Sequence, residues 1–178
     1  VDRRDGVYPK VLSMIPSRIF LIGFMCSGKS TVGKLLAQKL SYSFVDLDEY
    51  IETKEKKSIE EIFSNYGEEY FRKAEMNALE VFLNKEKVVI STGGGLGANK
   101  DALLKMKSAG FVVWLDIDFE TFLKRCSNSE GRPLLKKGLD YVKELMERRK
   151  EIYSLADLRL DGRKSCKDLI DQILQKLI

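Results

Sequence analysis

Residues 18–31 read Arg-Ile-Phe-Leu-Ile-Gly-Phe-Met-Cys-Ser-Gly-Lys-Ser-Thr. The first part, Arg18–Gly23, is a short apolar, β-branched run that stops at glycine, the pattern of a buried strand. The second part, Gly23–Ser30, fits GxxxxGK[ST], and Lys29 opens a stretch with Val32, Leu35, Leu36 and Leu40 on one helical face. Strand, glycine loop and helix in that order make a phosphate cradle. Gly23 and Gly28 let the backbone curl until several N–H groups converge on one anion. The helix N-terminus adds its partial positive charge. Lys29 is placed to bridge β- and γ-phosphates, and Ser30 Oγ to ligate Mg²⁺. A plain glycine turn before a helix is the alternative, and four fixed positions in the right context weigh against it. The stretch reads as a binding site for a nucleoside triphosphate with Mg²⁺.

Working outward, further apolar runs appear at Phe44-Val45, Lys87–Ser91, Phe111–Leu115 and, more weakly, Leu158–Leu160. Between them lie helical patterns at Ser58–Tyr66, Glu68–Leu83, Asp101–Ser108, Phe119–Cys126, Leu139–Ala156 and Asp168–Ile178. Ser58 with Glu61 three residues on is a capping box. The strands are continuous rather than alternating, so both faces are buried. Alternation of such strands with helices predicts a three-layer α/β/α fold around a parallel sheet. Ligands in such folds bind beyond the carboxyl ends of the strands. Ser127–Gly138 is polar and reads as a mobile loop, and residues 1–17 as an extension preceding one domain over 18–178.

The whole chain has 178 residues, 44% hydrophobic and 33% charged, with a net charge of +4 and no histidine. That size and apolar content suit one domain with a real core. The absence of histidine removes Ser-His-Asp and Cys-His nucleophile pairs, histidine acid/base catalysis and His-ligated zinc. Chemistry must rest on carboxylates, Lys, Arg, backbone amides or a recruited ion. The mildly basic balance suits small anionic ligands and does not suggest nucleic acid. No apolar run is long enough to cross a membrane, and Val1–Ser17 lacks the apolar stretch of a signal peptide. Cys26, Cys126 and Cys166 include no CxxC pair, so the expectation is unpaired cysteines in a reducing cytoplasm, with Cys26 a small loop filler.

A phosphate donor needs an acceptor site. Asp46-Leu47-Asp48 is expected to end the second strand with both carboxylates on one side. One would hold the metal or its water, and the other would take or orient a hydroxyl proton. The plain alternative is that these aspartates cap the helix beginning near Glu49. Gly93-Gly94-Gly95 follows a strand and permits close approach of a ligand to backbone. Ser91, just before it, is in reach of the metal's water shell. Arg132, stiffened by Pro133, sits in the polar loop, where a closing lid can deliver a cation to the transferring group. Arg72 alone reads as a solvated partner of Glu68 or Glu75, and the run around Arg149 as a solvated helical face.

The phosphate loop, DLD at 46–48, FRKAE at 71–75, VISTGGG at 89–95, GRPLL at 131–135 and RRKEIYSLAD at 148–157 occur in this order. Together they closely resemble the shikimate kinase family, from about Arg18 to the C-terminus. The resemblance implies five parallel strands in the order 2-3-1-4-5, substrate-binding helices at about 49–83 and a lid at about 127–138. It implies transfer of the γ-phosphoryl group of ATP to the 3-hydroxyl of shikimate. ATP contacts would come from Gly23, Cys26, Ser27, Gly28, Lys29, Ser30, Thr31, Arg125, Arg132 and Arg163. Asp48, Arg72, Gly93, Gly94, Gly95 and Arg149 would hold shikimate, the two arginines clamping its carboxylate. Ser30, Asp46 and Ser91 would serve the Mg²⁺. Catalysis would fall to Lys29, Asp48 as the base, and Arg132. A monomer that binds no nucleic acid and no membrane is expected. A gluconate or nucleoside monophosphate kinase of the same fold is the nearest rival, and a nucleotide-dependent switch a rival of another class. The set Asp48, Arg72 and Arg149 argues against the first, and the lid together with the substrate-type residues against the second.

Overall fold

The computed structural model describes residues 15–126 and 137–178. Five strands form one sheet: β1 (Arg18–Ile22), β2 (Ser43–Asp46), β3 (Val88–Ser91), β4 (Phe111–Asp116) and β5 (Leu158–Asp161). Between and after them come α1 (Lys29–Leu40), α2 (Leu47–Glu55), α3 (Ile59–Phe82), α4 (Gly94–Gly97), α5 (Lys100–Ala109), α6 (Phe119–Cys126), α7 (Leu139–Tyr153) and α8 (Cys166–Leu177). All pairings are parallel and the strand order is β2-β3-β1-β4-β5, as the resemblance implied.

Alternate residues of the central strands feed two apolar layers. Phe20 and Ile22 of β1, Val88 and Ile90 of β3, and Val112 and Trp114 of β4 face helices α3, α5, α6 and α7. Ile19, Leu21, Val89, Val113 and Leu115 face α1 through Val32, Leu36 and Leu40, and α8 through Leu169, Ile170 and Ile173. Both faces of the strands are therefore buried, which is why they lack polar alternation. Helix starts are fixed by side-chain oxygens on orphan amides: Ser58 on Glu61 N, Asn99 on Ala102 N and Ser165 on Asp168 N. The long helix α3 breaks at Gly67, whose φ is +86°. The two helical patterns on either side of that glycine are thus two limbs of one bent element.

Three local expectations change. The strand β2 ends at Asp46, and Leu47 already begins α2, so Asp46 and Asp48 are not alternate residues of one strand. Asp46 is the helix cap, accepting from the amides of Asp48 and Glu49 at 2.9 and 3.2 Å. Gly94–Gly97 forms a helical turn, an element not anticipated for the glycine run. Finally, Cys26 and Cys126 are not unpaired: they form a disulfide with a Cα separation of 6.2 Å. They lie 100 residues apart in sequence, and only the packing of α6 beside the glycine loop brings them together. Of the described cysteines, Cys166 alone is free.

Candidate active site

The carboxyl ends of β1, β2 and β3 open into one cavity of about 600 Å³. The loop after β1 forms its donor wall. Gly23 starts this loop at φ +150°, where a Cβ would lie 2.6 Å from the Leu115 carbonyl oxygen, so neither backbone nor space admits a side chain. The buried Lys29 ammonium donates to the carbonyl oxygens of Gly23 and Phe24 at 2.8 and 3.0 Å. Its charge is thereby held over the loop and in front of the amino end of α1.

Parallel register sets the next corner. Asp46 lies opposite Ser91 on neighbouring strands, and Ser91 opposite Leu21 of β1. Ser30, one residue into α1, donates its hydroxyl to Asp46 Oδ2 at 2.5 Å and lies 3.5 Å from Ser91 Oγ. One carboxylate and two hydroxyls converge from three elements. Among the described residues no group of three or more acidic, histidine or cysteine side chains could hold a metal. The sparse hard-oxygen set is nonetheless of the kind that fits Mg²⁺, which is held by one or two carboxylates while phosphates and water complete its shell.

The acceptor wall is built around the glycine trio. A Cβ on Gly93 would stand 2.8 Å from Asp48 Oδ1 and 3.1 Å from Glu75 Oε2. One on Gly94 would stand 3.1 Å from Arg149 Nη1, and one on Gly95 would overlap the Arg72 guanidinium. Each glycine thus leaves space that a polar side chain fills. Arg72 donates to Glu75 at 2.5 Å and to Glu68 at 3.4 Å. Burial pushes the Glu75 carboxyl up, to about 7; the neighbouring Asp48 charge adds to the rise, while Arg72 and Arg149 oppose it. Arg149 packs its guanidinium over the Phe24 ring at 5.5 Å. Two arginines, from α3 and α7, therefore meet at one glycine turn beside Asp48.

A family model for shikimate kinase matches residues 25–178. The chain belongs to the shikimate kinase family. The shikimate kinase of Aquifex aeolicus strain VF5 is 54% identical over 160 residues, covering 90% of this chain and 95% of its own. That of Persephonella marina is 50% identical over 160 residues, covering 89% and 98%. Among solved structures, the A. aeolicus shikimate kinase matches with a TM-score of 0.83 over 90% of this chain and 95% of its own. The Acinetobacter baumannii shikimate kinase in complex with shikimate, 32% identical, matches with 0.87 over 94% and 96%. A gluconokinase from Sinorhizobium meliloti, 17% identical, matches with 0.61 over 92% of each chain and shares the fold alone. Members of the shikimate kinase family transfer phosphate from ATP, generally with a divalent metal.

Most residues singled out from the shikimate kinase resemblance gather in the one cavity. Cys26, Ser27, Gly28, Lys29, Ser30, Thr31, Asp46, Asp48, Arg72, Ser91, Gly93, Gly94, Gly95 and Arg149 all line it. Gly23 stands just behind, offering its carbonyl to Lys29. Arg125 lies beside a second hollow of about 280 Å³, bridging the carbonyls of Cys26 and Gly162 at 3.2 and 2.8 Å. Arg163 is not in the lining of either: it is exposed and paired with Asp161 and Asp118, while Lys164 lines the second hollow. Arg132 and most of the expected lid fall within 127–136, outside the described residues. Glu75 entered the sequence reading only as a solvated partner of Arg72, yet it is buried at the site, and a signal for that existed. It shares the helical face of Phe71, Ala78 and Leu79, and a charge on a buried stripe is rarely idle.

Proposed function

We propose that this chain transfers the γ-phosphoryl group of ATP to the 3-hydroxyl of shikimate, releasing ADP and shikimate 3-phosphate. The observation that carries the reading is the meeting of the phosphate loop with Asp48, Arg72 and Arg149 around one glycine turn. Shikimate is a small carboxylate bearing several hydroxyls. Two guanidinium groups recognise its carboxylate by charge-assisted, planar hydrogen bonds. The amides of residues 93–95 and the Asp48 carboxylate receive the hydroxyl end. Asp48 then takes the proton of the attacking hydroxyl on a carboxylate oxygen.

Phosphoryl transfer asks for alignment and for neutralising charge that spreads over the moving oxygens. Lys29 supplies one positive charge from inside the loop. Ser30, Asp46 and Ser91 would hold Mg²⁺, which when bound neutralises phosphate oxygens and fixes their orientation. The resemblance assigns Arg132 the remaining phosphate contact and Arg125 and Arg163 the adenine side; of these Arg125 is the better placed, since it lines the hollow next to Thr31. The helices over about 49–83 form the acceptor half of one kinase domain. Among the described residues no helix is long and apolar enough to cross a membrane. A monomer working where ATP is plentiful, in the cytoplasm, completes the proposal.

An acceptor panel tests it. ADP formation from ATP and Mg²⁺ should rise sharply with shikimate and stay at background with gluconate or AMP. A preference for gluconate or a nucleotide would overturn the assignment. The acceptor-side pair of arginines favours a carboxylate over a nucleotide acceptor; gluconate shares the carboxylate, and the 54% identity to a shikimate kinase is what favours shikimate over it.

A further inference from the structure

Tyr153 stands outside the cavity lining, yet its hydroxyl joins two of the acceptor contacts. The ring is buried between β4 and α4, 5.8 Å from Trp114. A Cβ on Gly97 would come within 3.3 Å of it. The phenol donates to the carbonyl oxygen of Gly94 at 2.6 Å. The phenol oxygen itself accepts a hydrogen bond from the Arg149 side chain, one helical turn earlier on α7. One hydroxyl therefore gives a hydrogen bond to the glycine turn and takes one from the guanidinium. Gly94 in turn lies against the loop after β1, close to the Gly23 carbonyl and the Met25 amide.

We propose that Tyr153 is a positioning residue for the acceptor, fixing where Arg149 stands relative to the backbone amides of the glycine turn. The proposal rests on the acceptor reading above. A guanidinium at the end of a long side chain and a run of three glycines are both mobile groups when untethered. Recognition of a small rigid carboxylate needs them at one fixed separation. A buried phenol is stiff, with two side-chain torsions, and is locked here by aromatic packing. Its hydrogen bond to Gly94 ties α7 to α4, and the one it takes from Arg149, within α7, sets the guanidinium against that tie.

The test is Tyr153→Phe, which keeps the ring and removes the hydroxyl. The KM for shikimate should rise about tenfold, the effect of one lost hydrogen bond. The KM for ATP and kcat should stay within about twofold. Shikimate methyl ester, which lacks the carboxylate charge, supplies the second readout. The preference of the wild type for the acid over the ester should shrink in Tyr153→Phe, because Arg149 is no longer aimed. Equal rises in both KM values, or an unchanged acid-to-ester preference, would mean a structural role only and overturn the proposal. Hydrogen exchange on the wild type covers a variant that does not fold. Shikimate should slow exchange both in 93–97 and in the last turn of α7, and slowing confined to 93–97 would overturn it. A wild type that does not respond to shikimate overturns the acceptor reading itself.

Discussion

Glu75 shows how one residue can carry both a structural and a chemical load. Its carboxyl is buried, faces Arg72, and has Asp48 as a like-charged neighbour across Gly93. The folded chain raises its pKa from 4.5 to about 7, so folding favours the protonated form. Between those two values the folded state holds a proton that the unfolded chain has released. The stability contributed by that proton is full below about pH 4.5 and fades as pH rises through about 7. Replacing Glu75 by Gln removes the titration. The stability of the wild type relative to Glu75→Gln should fall between about pH 5 and about pH 8, by up to roughly 3 kcal/mol. Denaturant unfolding of both proteins across that range measures it, and parallel pH curves would contradict the shift. Ionised Glu75 is also the better partner for the Arg72 guanidinium, so the same window bears on how firmly the acceptor arginine is held.

At the scale of elements, the glycine turn and its neighbours decide the acceptor wall. A methyl group at Gly95 would collide with the tip of Arg72, a flexible side chain, rather than with backbone. Gly95→Ala should therefore fold, with a change in Tm of only a few degrees, while Arg72 is pushed aside. Loss of a charge-assisted contact predicts a KM for shikimate raised roughly tenfold to a hundredfold, with the KM for ATP nearly unchanged. Steady-state kinetics with each substrate varied in turn distinguishes this from a general loss of structure. The strands, the cap at Ser58 and the separation of the two helical patterns that meet at Gly67 were legible in the sequence, because continuous apolar runs and cap residues act locally; that the two patterns form one bent helix was not. The geometry of Asp46 and Asp48 was not. Their spacing suits a strand, but the capping strength of Asp46 turns the chain into α2 one residue earlier. The members of the corner, Ser30, Asp46 and Ser91, were named from the sequence, but their convergence depends on the register that sets Asp46 beside Ser91 and on contacts from Ser30 across 16 and 61 positions, which leave no local trace.

For the whole molecule, the Cys26–Cys126 bond is the feature least visible in the sequence, since two cysteines 100 residues apart carry no pairing signal of their own. Arg125, next to Cys126, also reaches back to the Cys26 carbonyl, so the same junction is held both covalently and by hydrogen bonding. Closing a loop of that length is worth about 4–5 kcal/mol in the chain-entropy account. Cys126→Ser, or reduction of the wild type, should lower Tm by about 10 °C. Adding reductant to Cys126→Ser should change nothing further, and equal melting of oxidised and reduced wild type would show that the link does not contribute. Seen as a polymer, the oxidised chain is a ring with two tails, and the ring contains three of the five strands, β2, β3 and β4. Pulled from its ends it would yield only the tails. Roughly 330–360 Å of contour, from the glycine loop to the end of α6, would stay hidden behind a single bond until that bond is cut.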